Sequence, residues 1–142
     1  MAYWLMKSEP ETWSWDDQVK AGGAPWDGIR NHQAANYMKA MTRGDLFFFY
    51  HTGLERRIVG VGEIVGAYRR DPSDESGRFG MVLVRAKKRL KNPVSLSAIK
   101  DTPALAGLAL LRQSRLSVMP VTKACWDILC EMAATPDKKT AR

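Results

Sequence analysis

Residues 46–68, LFFFYHTGLERRIVGVGEIVGAY, decide the fold, because they hold two strand patterns separated by a short turn. Residues 46–50 form a continuous apolar run, which is typical of a buried strand. Residues 58–68 place three glycines on one face, which indicates bends or the close approach of another backbone. The segment therefore predicts that the middle of the chain is β-rich, with a turn at residues 51–55.

The residues before this segment predict a strand and two helices. Residues 2–7 are aromatic and apolar, as in a short strand. Ser14 is placed to cap a first helix through a capping box, and the glycine pair that follows ends that helix. A loop that contains residues 25–28 is expected next, after which Asn31 caps a second helix that runs to about Met41.

The residues after the segment begin with a polar loop, 71–78, which we expect to be mobile. The remaining elements are a strand over 79–90, helical turns over 93–107, a short strand over 116–121, and a helix from the cap Thr122 to about Ala133. Since the strands form a block with helices at both ends of the chain, the order favours an α+β fold with a curled or closed, antiparallel-rich sheet. We expect one domain over residues 1–134 and a flexible basic tail over residues 135–142.

The composition fits a small soluble domain. The chain has 142 residues, of which 45% are hydrophobic and 26% charged, and this suits a single core. No apolar run approaches the roughly 20 residues of a membrane helix, and the first residues lack a signal-peptide pattern. Cys125 and Cys130 are poorly spaced for a mutual disulfide and form no metal motif. We expect a cytoplasmic protein with no cofactor, no metal and no membrane partner; association with the nucleoid is a further option, and a monomer is favoured.

The charge balance is basic. Lys and Arg number 22 against 15 Asp and Glu, which gives a net charge of +7 at neutral pH. A basic surface suits a polyanionic partner, because Lys and Arg neutralise phosphates and release counterions. Many basic proteins have no such partner, so charge alone does not identify nucleic acid.

Polar and aromatic residues gather where the predicted strands end. An unstacked base needs an aromatic face and hydrogen-bonding groups at its edge. Trp26 and Tyr50 offer faces, and Lys7 and Arg30 can hold a phosphate. Groups able to bond the edge of a base are Ser8, Asn31, His51, Thr52 and Ser117. Each has a structural alternative, since a lone tryptophan usually packs, an asparagine often only caps a helix, and Lys7-Ser8-Glu9 fits an ordinary strand end.

Catalytic signatures are weak. His51 with Ser8 or Ser117 and Asp27 suggests a Ser-His-Asp set, but no GxSxG elbow supports it. The zinc-deaminase pattern and the phosphate-binding glycine loops are also absent from the sequence. We therefore expect a protein that is not an enzyme. A regulatory module for another small ligand, or a base-processing enzyme, stays open as an alternative.

Five segments in order carry a family resemblance: WLMKSEP (4–10), WDGIRN (26–31), GDLFFFYHTG (44–53), IVGVGEIV (58–65) and LSVMPVT (116–122). Together they resemble the EVE domain family of the PUA-like superfamily, which includes relatives of thymocyte nuclear protein, and the likeness spans residues 2–133. The resemblance implies a pseudo-barrel of mostly antiparallel strands with flanking helices. It also implies binding of a modified base, notably a modified cytosine such as 5-methylcytosine in DNA. The family is similar to YTH domains, which read methylated adenine in RNA, so an RNA-binding PUA-like module is the alternative.

The resemblance also implies roles for single residues. Trp26 matches the tryptophan that forms one wall of the family's pocket. The other matching positions are Lys7, Ser8, Glu9, Arg30, Asn31, Tyr50 and His51. Two positions depart from the family pattern, since Thr52 stands where serine is frequent and Ile29 where valine is frequent. The added methyl group of Thr52 leaves the identity of the base open.

A basic segment offers a candidate surface for the nucleic-acid backbone. If residues 85–91 stay extended, Arg85, Lys87, Arg89 and Lys91 line one face by alternation. A solvated strand face explains the same pattern equally well. Arg56 and Arg57, just after the turn at residues 51–55, are expected to rim the same site.

Overall fold

A computed structural model describes residues 1–135 as one mixed six-stranded sheet with helices packed against it. The strands are Tyr3–Ser8 (β1), Ala24–Trp26 (β2), Leu46–His51 (β3), Arg57–Arg70 (β4), Gly80–Ser95 (β5) and Val118–Val121 (β6). The helices are Trp15–Ala21 (α1), His32–Lys39 (α2), Leu96–Lys100 (α3), Ala109–Arg112 (α4) and Lys123–Ala134 (α5), with a 3-10 turn at Pro103–Leu105. The strand order is β2-β5-β4-β3-β1-β6, and only the β1–β3 pair is parallel among the pairs described. The predicted α+β class with a mostly antiparallel sheet is confirmed.

The sheet curls into a half-barrel, as contacts of Trp26 show. Trp26 lies in edge strand β2, three strand spacings from β3 in the sheet order, or about 14 Å in a flat sheet. Its ring nevertheless packs edge-on against Phe47 and Phe49 of β3, at centroid distances of 5.7 and 5.4 Å. The two strands approach across the inside of the curl. We call the side of the sheet that carries Phe47 and Phe49 the barrel face.

Two glycines of β4 make room for aromatic rings on the barrel face. Gly60 pairs with Phe49 and Gly62 with Phe47. A Cβ atom at Gly60 would lie 2.4 Å from the ring of Trp15, and one at Gly62 would lie 2.3 Å from the ring of Phe47. The glycines therefore mark a close approach, as the sequence predicts, although the approaching groups are mainly side chains.

Helix α5 covers the opposite side of the sheet, which we call the α5 face. Phe48 stacks on Trp126 of α5 with ring centroids 3.9 Å apart, and Tyr3 stacks on the same indole at 4.5 Å. Successive side chains of a strand point to opposite sides, so alternate residues of β1 and β3 divide between the two faces. This alternation determines which candidate site residues share an environment.

The predicted helix caps are confirmed. The side chains of Ser14, Asn31 and Thr122 each accept a hydrogen bond from a backbone N–H in the first turn of the helix that they begin, and Asp17 completes a capping box with Ser14. Helix α2 ends at Lys39, two residues before the predicted end.

Three other predictions need correction. Pro25 and Trp26, predicted as loop, belong to strand β2 because they pair with β5. Strand β5 extends to Ser95, through the start of the segment expected to form helical turns. The loop 71–78 is held by hydrogen bonds, because the buried carboxylates of Asp71 and Asp74 accept bonds from Ser73, Ser76 and the N–H of Phe79.

Within residues 1–135, none of the helices is long and apolar enough to cross a bilayer. The predicted basic tail falls on residues 135–142, of which all but the first lie outside the described residues.

Candidate functional site

The parallel pairing of β1 with β3 brings two predicted site segments to one edge of the sheet. Lys7 lies beside Tyr50 and Ser8 beside His51 in the register of the two strands. The backbone N–H of Thr52 donates to the carbonyl of Ser8 at 2.9 Å, which continues the pairing into the following turn. These two segments, 43 positions apart in the sequence by the β1–β3 register, thus share one end of the half-barrel.

Lys7 and Tyr50 point to the α5 face. The Lys7 ammonium donates to the carbonyl of Ser114 at 2.9 Å and lies 5.9 Å from the centre of the Tyr50 ring. Burial lowers the pKa of Lys7 and raises the pKa of Tyr50. The lysine therefore ties the segment before β6 to the sheet, since the backbone N–H of Lys7 also donates to the carbonyl of Ser117 at 2.8 Å.

Ser8 and His51 point to the barrel face, toward the segment that leads into α1. The Nε2 atom of His51 accepts the backbone N–H of Trp15 at 3.0 Å, and its Nδ1 lies 3.0 Å from the Glu55 carboxylate. Nε2 is thus the acceptor, so Nδ1 carries the proton that it donates to Glu55, and this bond lowers the pKa of Glu55. The hydroxyl of Ser8 donates to the carbonyl of Trp13. Because both nitrogens of His51 are engaged by Trp15 and Glu55, the ring bonds neither Ser8 nor Ser117 nor Asp27, and the Ser-His-Asp set is not assembled.

Trp26 lies in the core on the barrel face, against the middle of β3. Only 7% of its surface is exposed, and its ring contacts Phe47 and Phe49. A base therefore reaches a face of Trp26 only after neighbouring side chains move. Its role as a pocket wall stays a prediction.

The loop that carries Arg30 and Asn31 is clamped to the loop after β4. Arg30 donates to the Asp71 carboxylate at 3.3 Å and to the Ser73 hydroxyl at 3.1 Å, and its guanidinium lies 5.9 Å from the centre of the Phe79 ring. Burial by itself would raise the pKa of Asp71, but the hydrogen bonds from Ser73, the Gly28 N–H and Arg30 outweigh it and lower the pKa to about 2. Arg30 is thus occupied by protein partners.

A surface hollow of about 370 Å³ lies between the start of α2 and the segment before β6. Its lining residues are Asn31, Gln33, Arg112, Gln113, Ser114, Arg115 and Leu116. Asn31 uses its side-chain oxygen to cap α2, and its amide N–H groups make no hydrogen bond within residues 1–135. Of this set the sequence predicted only Asn31. The polar run RQSR at 112–115 was the available signal, but only the fold brings it beside Asn31.

The other predicted residues of the pocket lie near this end of the sheet. Glu9 is exposed, and its carbonyl accepts the N–H groups of Thr12 and Trp13. Thr52 is half-buried, with its hydroxyl 3.4 Å from the carbonyl of Ser8. Ser117 is half-buried beside the hollow, next to Leu116.

The prediction that the basic residues of segment 85–91 line one face of the strand is wrong, because a bulge interrupts the alternation. Arg85 pairs with Glu63 and Arg89 with Gly60, so four steps along β5 match three steps along β4. The bulge at Lys87 inverts the alternation and puts Arg85 on the α5 face and Arg89 on the barrel face. Arg85 forms an ion pair with Glu63 at 2.7 Å, and Arg89 forms one with Asp16.

A second hollow, of about 520 Å³, opens beside His51. Its basic lining residues are Arg57, Arg89 and Lys91, and its acidic ones are Asp16 and Glu55. Arg57 bonds Glu55 at 3.2 Å. Three cations from β4 and β5 therefore converge here, although two of them have carboxylate partners.

Comparison with known proteins gives one family. The sequence model of the EVE domain matches residues 2–132. Mouse thymocyte nuclear protein 1 is 33% identical over an alignment 168 positions long, which covers 94% of this chain and 74% of that protein. The protein Rpa0253 from Rhodopseudomonas palustris is 48% identical, with a TM-score of 0.90 over 99% of this chain and 98% of its own.

Two further solved structures share the fold. Human THYN1, solved in complex with DNA containing 5-methylcytosine, is 28% identical, with a TM-score of 0.88 over 96% of this chain and 100% of its own. The MmI1 YTH domain is 14% identical, with a TM-score of 0.62 over 94% of this chain and 96% of its own, a likeness of fold alone. Together these similarities confirm the predicted PUA-like fold.

Proposed function

The chain belongs to the EVE domain family, and we propose that it binds nucleic acid by holding a modified base, a modified cytosine in DNA, without transforming it. The observation that carries this proposal is the complex of human THYN1 with DNA containing 5-methylcytosine, in a protein that shares the fold over nearly the whole chain. Taking a base out of a duplex costs a few kcal/mol, so such a module needs groups that hold the base and its phosphates.

The arrangement of polar groups supports base binding at the end of the half-barrel. The hollow beside α2 offers the amides of Asn31 and Gln33, and amides bond the edges of bases well. Arg112 and Arg115 line the same hollow and suit phosphate oxygens. The Lys7 ammonium fixes the position of the segment before β6 by donating to the carbonyl of Ser114.

Stacking on Trp26 requires the core beside it to open. Stacking of a base on an aromatic ring is worth about 1–3 kcal/mol, which is enough to offset a small side-chain rearrangement. An added methyl group in an apolar corner contributes a similar 1–3 kcal/mol, so we expect preference for the modified base to be moderate.

Binding without catalysis is supported by the state of His51. Its Nε2 accepts the N–H of Trp15, and its Nδ1 donates to Glu55. A general base needs a free nitrogen within reach of the proton that it takes. Formation of a product from a modified oligonucleotide, lost in His51→Ala, would instead establish a base-processing enzyme.

The test is equilibrium binding to oligonucleotides of one sequence that carry cytosine or 5-methylcytosine, as DNA and as RNA. We expect tighter binding to the modified DNA. Arg115→Ala and Gln33→Ala should weaken binding of that DNA by about fivefold or more, since each removes one charged or hydrogen-bonding contact. Arg43→Ala is the matched control, because Arg43 is exposed in the turn before β3, at the opposite end of the sheet.

Three results would contradict the proposal. Equal affinity for modified and unmodified strands would show that the protein does not recognise the modification. Tighter binding to modified RNA than to modified DNA would establish the RNA-binding alternative. Equal losses in Arg115→Ala and Arg43→Ala would show that the hollow is not the site.

A further inference from the structure

Leu54 is the most exposed large apolar side chain of the described residues. It is 95% exposed, whereas the other two in this class are Met1, at the N-terminus, and Val19, on α1, at 52%. A single exposed leucine is ordinary on a protein surface. The position of this leucine is not, because it stands at the tip of the turn between β3 and β4, next to the candidate site.

The turn holds Leu54 outward from both sides. On one side the N–H of Thr52 donates to the Ser8 carbonyl at 2.9 Å. On the other side Glu55 bonds both His51 and Arg57. The carbonyl of Arg56 then accepts the N–H of Leu96 at 2.8 Å. Because the backbone of this turn is already fixed, Leu54 can enter an apolar space with little further loss of backbone entropy.

The surroundings of Leu54 match one kind of apolar space. Arg56 and Arg57 are exposed, follow it closely in the sequence and lie in or beside the same turn. A duplex from which one base has been withdrawn presents a gap bounded by the apolar faces of neighbouring bases and flanked by phosphates. An apolar tip next to two guanidinium groups has the size and charge to fill that gap.

We propose that Leu54 is a wedge that enters the base stack of duplex DNA where the modified base has left it, with Arg56 and Arg57 against the flanking phosphates. The wedge rests on the proposed function, since it acts on the duplex while the pocket holds the base. It extends that function in two ways. Duplex DNA becomes the form of nucleic acid that is bound, and Leu54 becomes the residue that keeps the base outside the helix. Single strands have no stack to fill, so Leu54 contributes little to their binding.

The experiment compares wild type, Leu54→Ser and Val19→Ser on three DNA probes. These are a duplex with one 5-methylcytosine, the same modified strand alone, and the duplex with an abasic site at that position. Burying a leucine side chain corresponds to roughly tenfold or more in affinity. We therefore expect Leu54→Ser to lose about tenfold on both duplexes and less than about twofold on the single strand, and Val19→Ser to match wild type.

The abasic duplex separates the wedge from the pocket, because it has a gap but no base to bind. A tenfold loss of Leu54→Ser on that duplex, with no preference of wild type for 5-methylcytosine, would support the wedge and overturn base reading. Equal affinity of Leu54→Ser and wild type on both duplexes, or an equal loss on the single strand, would overturn the wedge and leave base reading standing. Absence of wild-type binding to every probe would overturn both.

Discussion

The carboxylate of Asp71 accepts the backbone N–H of Gly28 at 2.9 Å, and this bond joins the loop after β4 to the loop before α2. Gly28 has a φ of 76°, a conformation that glycine adopts without strain. The same carboxylate holds Arg30, so one buried side chain sets the path of the chain into Asn31 and the hollow beside α2. Asp71 is therefore a positioning residue for the candidate site.

The first prediction concerns the pH dependence that Asp71 produces. Its pKa is lowered from 3.8 to about 2 in the folded state, so the ionised form stabilises the fold above about pH 4, and that stability is lost as the pH falls through 2. Asp71→Asn should lower the free energy of unfolding by about 1–3 kcal/mol at pH 7, because buried donors lose a charged acceptor. Urea denaturation from pH 7 to pH 2 measures the difference. A difference between variant and wild type that stays constant over this range would contradict the prediction.

The second prediction concerns the close approach at Gly60. In Gly60→Ala the new methyl group would lie 2.4 Å from the ring of Trp15, so the indole or the strand must shift. Overpacking of this kind costs about 1–3 kcal/mol in the free energy of unfolding, which chemical denaturation measures. Gly107→Ala is the control, since a Cβ at that position meets nothing within 4 Å. Equal stability of the two variants would show that the ring of Trp15 moves without cost.

Local signals predicted most of the elements. Ser14, Asn31 and Thr122 were identified as caps because a cap bonds the N–H of a residue two or three positions along the chain, so all partners lie in one short stretch. The apolar run of β3 was identified because both faces of that strand are covered, one by Trp26 and the other by α5.

Features that depend on distant partners were not predicted. Strand β2 has three residues and includes Pro25, and only its pairing with β5 makes it a strand. The bulge at Lys87 lies in a run of charged residues, where no apolar alternation marks the change of face. The residues of the hollow at 112–116 lie about 80 positions from Asn31, so only the fold brings the two segments together.

The third prediction separates the structural role of Trp26 from its role as a pocket wall. Trp26→Ala should lower the free energy of unfolding by about 3–5 kcal/mol, because it leaves a cavity between Phe47 and Phe49. This loss confounds any measurement of binding with that variant. Trp26→Phe keeps an aromatic ring and most of the packing, so it should fold. It should bind a modified oligonucleotide several-fold more weakly, because its ring offers a smaller face for stacking. Wild-type affinity in Trp26→Phe, measured well below its Tm, would show that no base stacks on this residue.

The fourth prediction concerns the salt dependence of DNA binding. Arg85 and Arg89 are both exposed, and each has one carboxylate partner, but they lie on opposite faces of β5. Arg89 lines the hollow beside His51 with Arg57 and Lys91. If phosphates pass through this hollow, Arg89→Ala should reduce the slope of log affinity against log salt concentration by about 1, because one fewer counterion is released. Arg85→Ala is the matched control and should leave the slope unchanged, so equal changes in the two variants would place the DNA elsewhere.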